Sequence, residues 1–349
     1  MTETTSAKRV NLALQGGGAH GAFTWGVLDR LLEDGRLQFE AVSGTSAGAV
    51  NAVLLAAGLA EGGREAARAR LRQFWHGAAL KLPLPAAHEA EPPWLAPAMR
   101  GTMALLNVFS PYQLNPMDFN PLRALISERV DFRRLQAHSP VRLFIAATHV
   151  RTGRLRLFTE DELTLEAVLA STSLPTLHHA VTIDGEAYWD GGFTANPAIF
   201  PLIYDCDAAD IVAVLLLPLA RAEVPRDADA IRAREAEIAF SASFMREMRL
   251  VAEARRRTAR WPLGRLERLL RKSHFHIIQG DALMRSLAAH SRLNTQQEFL
   301  EHLFRQGRVQ AGRWLEQHCH TVGRADSVDL NALFGEWPTR IVPDEGDAG

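Results

Sequence analysis

The chain has 349 residues, 47% of them hydrophobic and 23% charged, enough apolar material to bury a large core without metals or disulfides. Its formal net charge of −1 gives no global reason to bind nucleic acid. The two cysteines, Cys206 and Cys319, are too few for a disulfide framework and lack metal-ligand spacing, and the longest nearly apolar run, Ala47 to Ala60, is too short to cross a bilayer.

The start, Met1 to Arg9, is polar and lacks an apolar core, so no signal peptide is expected. Val10 to Leu14 predicts a first strand, followed by Gly16-Gly17-Gly18-Ala19-His20-Gly21 and a helical pattern to about Glu33. The glycine run also fits the dinucleotide fingerprint, but that fold needs an acidic residue at the end of the second strand. Glu40 lies at the wrong end of that strand, so no nucleotide cofactor is expected. The alternative is that the N–H groups of Gly16, Gly17 and Gly18 converge on an oxyanion. The second strand, carrying Phe39, Ala41 and Val42, runs into Gly44-Thr45-Ser46-Ala47-Gly48 and then a helical run from Ala49 to Ala57. Small residues two positions on either side of Ser46 allow a sharp turn that projects its Oγ, the geometry of a nucleophile elbow. The bland reading is a helix N-terminus capped by Thr45 or Ser46.

Residues 77–121 interrupt the strand and helix rhythm with prolines and with Trp94, Met99, Met103, Leu105, Leu106, Val108 and Phe109, which suits a helical insertion packed on the body or a lid. Val181 to Ile183 and Ala187 to Trp189 predict two short strands around an Asp184-Gly185 turn, and the second delivers Asp190-Gly191-Gly192. A turn aspartate before glycines is the ordinary reading of that triplet. Ile211 to Leu217 predicts a buried strand, which gives a mixed α/β sheet with helices on both faces. Beyond about Arg221 the chain is charged and helical. Ile231, Ile238, Phe244, Met245 and Met248 recur at near-helical spacing. A basic run follows: Arg255, Arg256, Arg257, Arg260, Arg265, Arg268, Arg271 and Lys272, interleaved with Trp261, Leu263, Leu266 and Leu269. It suits either a solvated helix or contact with an anionic membrane face. Asn294-Thr295 with Glu298 predicts the cap of a last helix reaching about His318, before an acidic tail, residues 343–349.

The glycine loop, the serine elbow and the Asp190-Gly191-Gly192 triplet, in this order and with Ala170 to Pro175 and Asn196-Pro197 flanking the aspartate, resemble the patatin-like phospholipase family. The resemblance implies a three-layer α/β/α fold with a mixed, mainly parallel sheet, here a catalytic domain over 9–220 with a mainly helical C-terminal extension over 221–342. It implies Ser46 as nucleophile, Asp190 as base and Gly16, Gly17 and Gly18 as the oxyanion hole, with Gly21, Gly44, Gly48, Gly191 and Gly192 supporting the motifs. No cofactor or metal is implied. One departure is His20, where the family often has arginine or lysine. The competing enzyme reading is a serine, aspartate and histidine triad drawing on His274, His276, His290, His302, His318 or His320, none of which sits in a recognisable motif. An acyl-carrier transacylase commonly has histidine before the serine, whereas Thr45 stands here. The expectation is a cytoplasmic lipid acyl hydrolase, peripheral at the inner membrane face, with a lipid or other ester as its partner. The alternatives are a general carboxylesterase and a catalytically silent lipid-binding or scaffold relative.

Overall fold

The computed structural model describes residues 7–81, 109–257, 264–287 and 289–335. Eight strands form one sheet: β1 (Lys8–Leu14), β2 (Leu37–Thr45), β3 (Arg142–His149), β4 (Leu155–Thr159), β5 (Val181–Ile183), β6 (Glu186–Asp190), β7 (Asp210–Leu215) and β8 (His274–Gln279). β3, β2, β1, β7 and β8 lie side by side and parallel, while β4 and β6 pair antiparallel with β3 and β5 pairs antiparallel with β6.

Alternation along the strands sends side chains to opposite faces and creates two cores. Val10, Leu12, Leu14, Val42, Leu143, Ile145, Val212 and Val214 face one core, which includes α1 (Gly21–Asp34), α2 (Ala47–Lys81) and the helix Gln297–His318. Ala13, Ala41, Phe144, Ile211, Ala213 and Leu215 face the other, against Phe244, Met248 and Val251 of the long helix Ala228–Arg257. Apolar residues on both faces explain why β7 reads as a continuous hydrophobic run after Asp210. The fold is therefore three-layered, with a mixed and mainly parallel sheet in the middle.

The segment after residue 220 belongs to this body. β8 extends the sheet beside β7, and the helix Gln297–His318 crosses α1 at unusually close range. A β-carbon on Gly26 would fall 2.0 Å from the Phe304 carbonyl oxygen, and one on Gly307 would fall 2.1 Å from that of Phe23. Glycine on each helix is what lets the two backbones meet. The change in composition near residue 220 is thus not a boundary in the core.

Two expectations shift. The last helix begins at Gln297 with Gln296 at its cap and no side-chain cap bond; Asn294 Oδ1 instead accepts from the Gln296 N–H at 2.9 Å, forming the turn that leads into the helix. In the basic run, Arg255 makes a bidentate ion pair with Asp326, at 3.1 and 2.9 Å, so its charge is committed inside the molecule. Leu270 is buried and Leu269 packs on the second core, whereas Leu266 is 52% exposed. Trp261, Leu263 and Arg260, the tail 343–349, and Trp94, Met99, Met103, Leu105, Leu106 and Val108 of the 77–121 segment all lie outside the described residues. No helix among the described residues is long and apolar enough to cross a membrane.

Candidate active site

Strand register brings Ser46 and Asp190 together. Ala147 and Thr148 of β3 pair with Arg156 and Leu155 of β4 along one edge. Their other pairing, with Asp190 and Trp189 of β6, must therefore use the opposite edge. That edge is the one on which Thr45 of β2 pairs with Ala146, a single residue earlier. β2 and β6 run toward each other in one lane beside β3 and stop head to head, one at Thr45 and the other at Asp190. The next residue of β2 is Ser46.

Ser46 turns the chain out of that lane into α2 and takes a φ of +54°, in the left-handed region that is uncommon for a residue with a side chain. The turn is tight enough to need its glycines. A β-carbon on Gly48 would lie 2.1 Å from the Leu14 carbonyl oxygen, and one on Gly44 would lie 2.7 Å from that of Gly48. The Ser46 N–H donates to Ser171 Oγ at 3.0 Å, and the Thr45 hydroxyl donates to the Ala195 carbonyl at 2.7 Å. Both contacts tie the elbow to the segments that flank Asp190.

Asp190 is fully buried. Its N–H donates to the Ser173 carbonyl and its own carbonyl accepts from the Thr148 hydroxyl, each at 2.8 Å. Carboxylate Oδ1 accepts from the Gly192 N–H at 2.8 Å, whereas Oδ2 has no hydrogen-bond partner. Burial raises the carboxyl to about 7, against the opposing pull of the Gly192 N–H and of the Ser46 hydroxyl. The hydroxyl is thus close enough to act on the carboxylate, yet it makes no hydrogen bond of ordinary geometry with it. Catalytic contacts of this kind commonly tighten when substrate is bound. Gly191 is also required in place, since a β-carbon there would meet the Ala146 carbonyl oxygen at 2.2 Å.

The glycine loop leaves the end of β1 next to the elbow, where a β-carbon on Gly16 would fall 2.7 Å from Ser46 Cβ. Its three amides are not equivalent. The Gly16 N–H donates to Asn196 Oδ1 at 2.6 Å and is already used. Gly17 and Gly18 sit at the start of the 3₁₀ turn Gly18–His20, where amides have no partner within the turn, and Gly18 has a φ of +59°. Gly21 supports the turn from below, with a β-carbon there meeting Ala47 Cβ at 2.7 Å. Neighbouring Gln15 accepts from the N–H groups of Leu216 and Leu217 at 2.6 and 2.8 Å and donates to the Asn196 carbonyl at 3.2 Å. It pins the loop to the end of β7 at the point where strand order reverses around β1, the crevice in which α/β sheets hold ligands.

Asn196, Gln15, Ser171 and Thr148 were not singled out as supports of the site from sequence. The signals are the position of Gln15 directly before the glycines and of Ser171 and Asn196 in the segments that flank the aspartate. His20 is buried, bonded to Ser291 Oγ at 2.8 Å, and held near 3 by burial and by the charge of Arg292, so it is neutral. Of the later histidines, His276 is committed to Asp210 at 3.0 Å on the far side of β7. No histidine side chain that the structure describes hydrogen-bonds to Ser46 or Asp190, and the side chain of His290 lies outside the description. Nor does any group of three or more His, Cys, Asp or Glu among the described residues lie where it could hold a metal ion.

A family model for patatin-like phospholipases matches residues 12–203, from β1 to the segment before β7. No curated protein sequence matches the chain. Among solved structures, the chain is similar to VipD from Legionella pneumophila at 15% identity and a TM-score of 0.42, covering 95% of this chain and 73% of that one. It is also similar to a chain of the heterodimeric ExoU–SpcU complex from the type III secretion system of Pseudomonas aeruginosa, at 18% identity and a TM-score of 0.38. That match covers 90% of this chain but 52% of the other, so the present chain spans about half its length. The family match takes in more than half of the chain and every motif around Ser46 and Asp190: the chain belongs to the patatin-like phospholipase family.

Proposed function

We propose that the protein is a serine acyl hydrolase that cleaves carboxylic ester bonds of phospholipids or related lipids through a Ser46–Asp190 dyad. The observation that carries this reading is the meeting of the two residues in one strand lane, with a buried carboxylate oxygen of Asp190 left unpartnered beside the Ser46 elbow. Asp190 takes the Ser46 proton as Oγ attacks the ester carbonyl and hands it to the departing alkoxide, so that an acyl-enzyme forms, the alcohol leaves and the carboxylate is free again. Water, deprotonated by the same carboxylate, then releases the fatty acid. A carboxylate raised to about 7 by burial is a far better base for this task than one at 3.8.

The tetrahedral oxyanion is held by the N–H groups of Gly17 and Gly18, while Gly16, bonded to Asn196, shapes the loop. This narrows the three-glycine oxyanion hole expected from sequence to two donors. The N-terminus of α2 adds partial positive charge on the same side. The absence of a histidine from the hydrogen bonds of Ser46 and Asp190, among the described residues, favours the dyad over a triad.

The test is release of free fatty acid and lysophospholipid from phosphatidylglycerol vesicles, measured for wild type and Ser46→Ala. The expected loss is about three orders of magnitude or more with the fold retained. Hydrolysis by the folded variant within tenfold of wild type would overturn the reading. A protein that turns over only p-nitrophenyl esters would return the substrate to the general carboxylesterase alternative.

A further inference from the structure

A cluster of charged side chains outside the dyad has no part in that chemistry. Glu237, on the long helix Ala228–Arg257, accepts from three arginines. Arg221 reaches it at 2.7 and 3.2 Å, Arg234 at 3.2 Å and Arg292 at 3.2 Å. One carboxylate thus faces three guanidinium groups and leaves an excess of two positive charges in a single hydrogen-bonded cluster.

The cluster is not fully satisfied. Arg292 Nε is buried without a hydrogen-bond partner, an arrangement that is unfavourable unless something accepts from it. The three arginine side chains nevertheless keep 21–30% of their surface open, while Glu237 keeps 7%. The acid is the buried member of the cluster and the arginine side chains are its partly open members.

The chain segments that carry the cluster touch the proposed active site at two points. The Arg292 carbonyl oxygen lies so close to the glycine loop that a β-carbon on Gly18 would meet it at 2.4 Å. One helical turn beyond Glu237, the Phe240 ring lies 2.3 Å from where a β-carbon on Gly192 would be, and Gly192 holds the Asp190 carboxylate. His20, the loop residue facing Arg292, is neutral and contributes no positive charge of its own.

We propose that Arg221, Arg234 and Arg292 form a subsite for a phosphoryl oxyanion at the rim of the Ser46 site, seating the phosphodiester of a lipid whose ester carbonyl lies at Ser46. The assignment rests on the acyl hydrolase reading for the identity of the lipid, but not for the binding of phosphate. Guanidinium forks match phosphoryl oxygens in pairs, and in a partly buried position such bonds are among the strongest polar contacts available. A phosphodiester carries one negative charge, which the cluster's excess can neutralise.

The experiment compares two substrates with the same acyl esters, dioctanoyl phosphatidylglycerol and dioctanoylglycerol, which lacks the phosphate. In the double variant Arg234→Gln/Arg292→Gln the ratio of kcat/KM for the first to that for the second should fall at least tenfold. The single variant Arg234→Gln, which removes one hydrogen bond at a partly open position, should move the ratio in the same direction. Arg257→Gln, on the same helix but paired with Glu253, should leave it unchanged. Calorimetry on Ser46→Ala protein gives the arm that does not depend on hydrolysis. Glycerophosphoglycerol should bind, and at least tenfold more weakly in a protein that also carries Arg234→Gln/Arg292→Gln. Such binding in a protein that cleaves neither ester would uphold the subsite while removing the hydrolase reading. An unchanged ratio, a parallel fall on both substrates with a lowered Tm, or binding of inorganic phosphate without glycerophosphoglycerol would each overturn the proposal.

Discussion

Asp190 carries the most specific residue-scale consequence of the fold. Burial raises its carboxyl from 3.8 to about 7, so between those values the folded chain holds a proton that the unfolded chain has released. The stability this group confers is greatest below about pH 4 and falls as pH rises to 7. At about 1.4 kcal/mol per pKa unit, ionised Asp190 weakens the fold by up to about 4 kcal/mol at pH 8. Asp190→Asn keeps an acceptor for the Gly192 N–H and removes the buried charge. Its denaturation midpoint should therefore exceed that of wild type, by a margin that grows from pH 5 to pH 8, while its activity is lost. A margin independent of pH would show that the carboxyl is not shifted. For wild type, kcat/KM should rise through a pKa near 7 as the base ionises. Ser46, Asp190 and the glycines were legible in sequence because local turn chemistry marks each of them. Asn196 and Gln15 were not, because they act on backbone groups 180 to 202 residues away, and only the folded sheet joins them.

At the scale of elements, most of the body was readable as period and punctuation. β1, β2, β5, β6 and β7 and the long helix Ala228–Arg257 fall where alternation or helical spacing put them. β3 carries no punctuation that marks its role, although Val141 to Ala147 is nearly all apolar, and it is the strand against which both Ser46 and Asp190 are placed. Its meaning lies in pairing, which a single segment does not reveal. The contact between α1 and the helix Gln297–His318 was equally hidden, because a glycine inside a helix reads as a weakness of about 1 kcal/mol relative to alanine. Here it is a requirement. Gly307→Ala would press a methyl group against the Phe23 carbonyl at 2.1 Å and the Val27 nitrogen at 3.0 Å, both backbone atoms with little room to move. The expected outcome in chemical denaturation is a loss of about 1–3 kcal/mol despite the better helix propensity. A gain in stability would contradict the close crossing.

For the whole molecule, the sheet's role is to deliver four separate segments to one end: the glycine loop, the elbow, the Asp190 turn and residues 289–293, which press on Gly18. The three-layer class followed from strand and helix alternation, but the joining of the C-terminal part to the core did not, since neither a strand nor a helix shows by itself what it packs against. Exposed Leu266 and the basic residues around it remain the proposed contact with anionic lipid. Leu266→Ser should reduce co-sedimentation with phosphatidylglycerol vesicles at low salt, and equal sedimentation would remove this helix from the membrane account. If Asp190 activates Ser46 as proposed, the rate of labelling with a fluorophosphonate, with the modified residue located by peptide mass spectrometry, reports that activation. The label should fall on Ser46, be absent from Ser46→Ala, and form about a hundredfold or more slowly in Asp190→Asn. Labelling of a different serine, or labelling of Asp190→Asn at the wild-type rate, would contradict it.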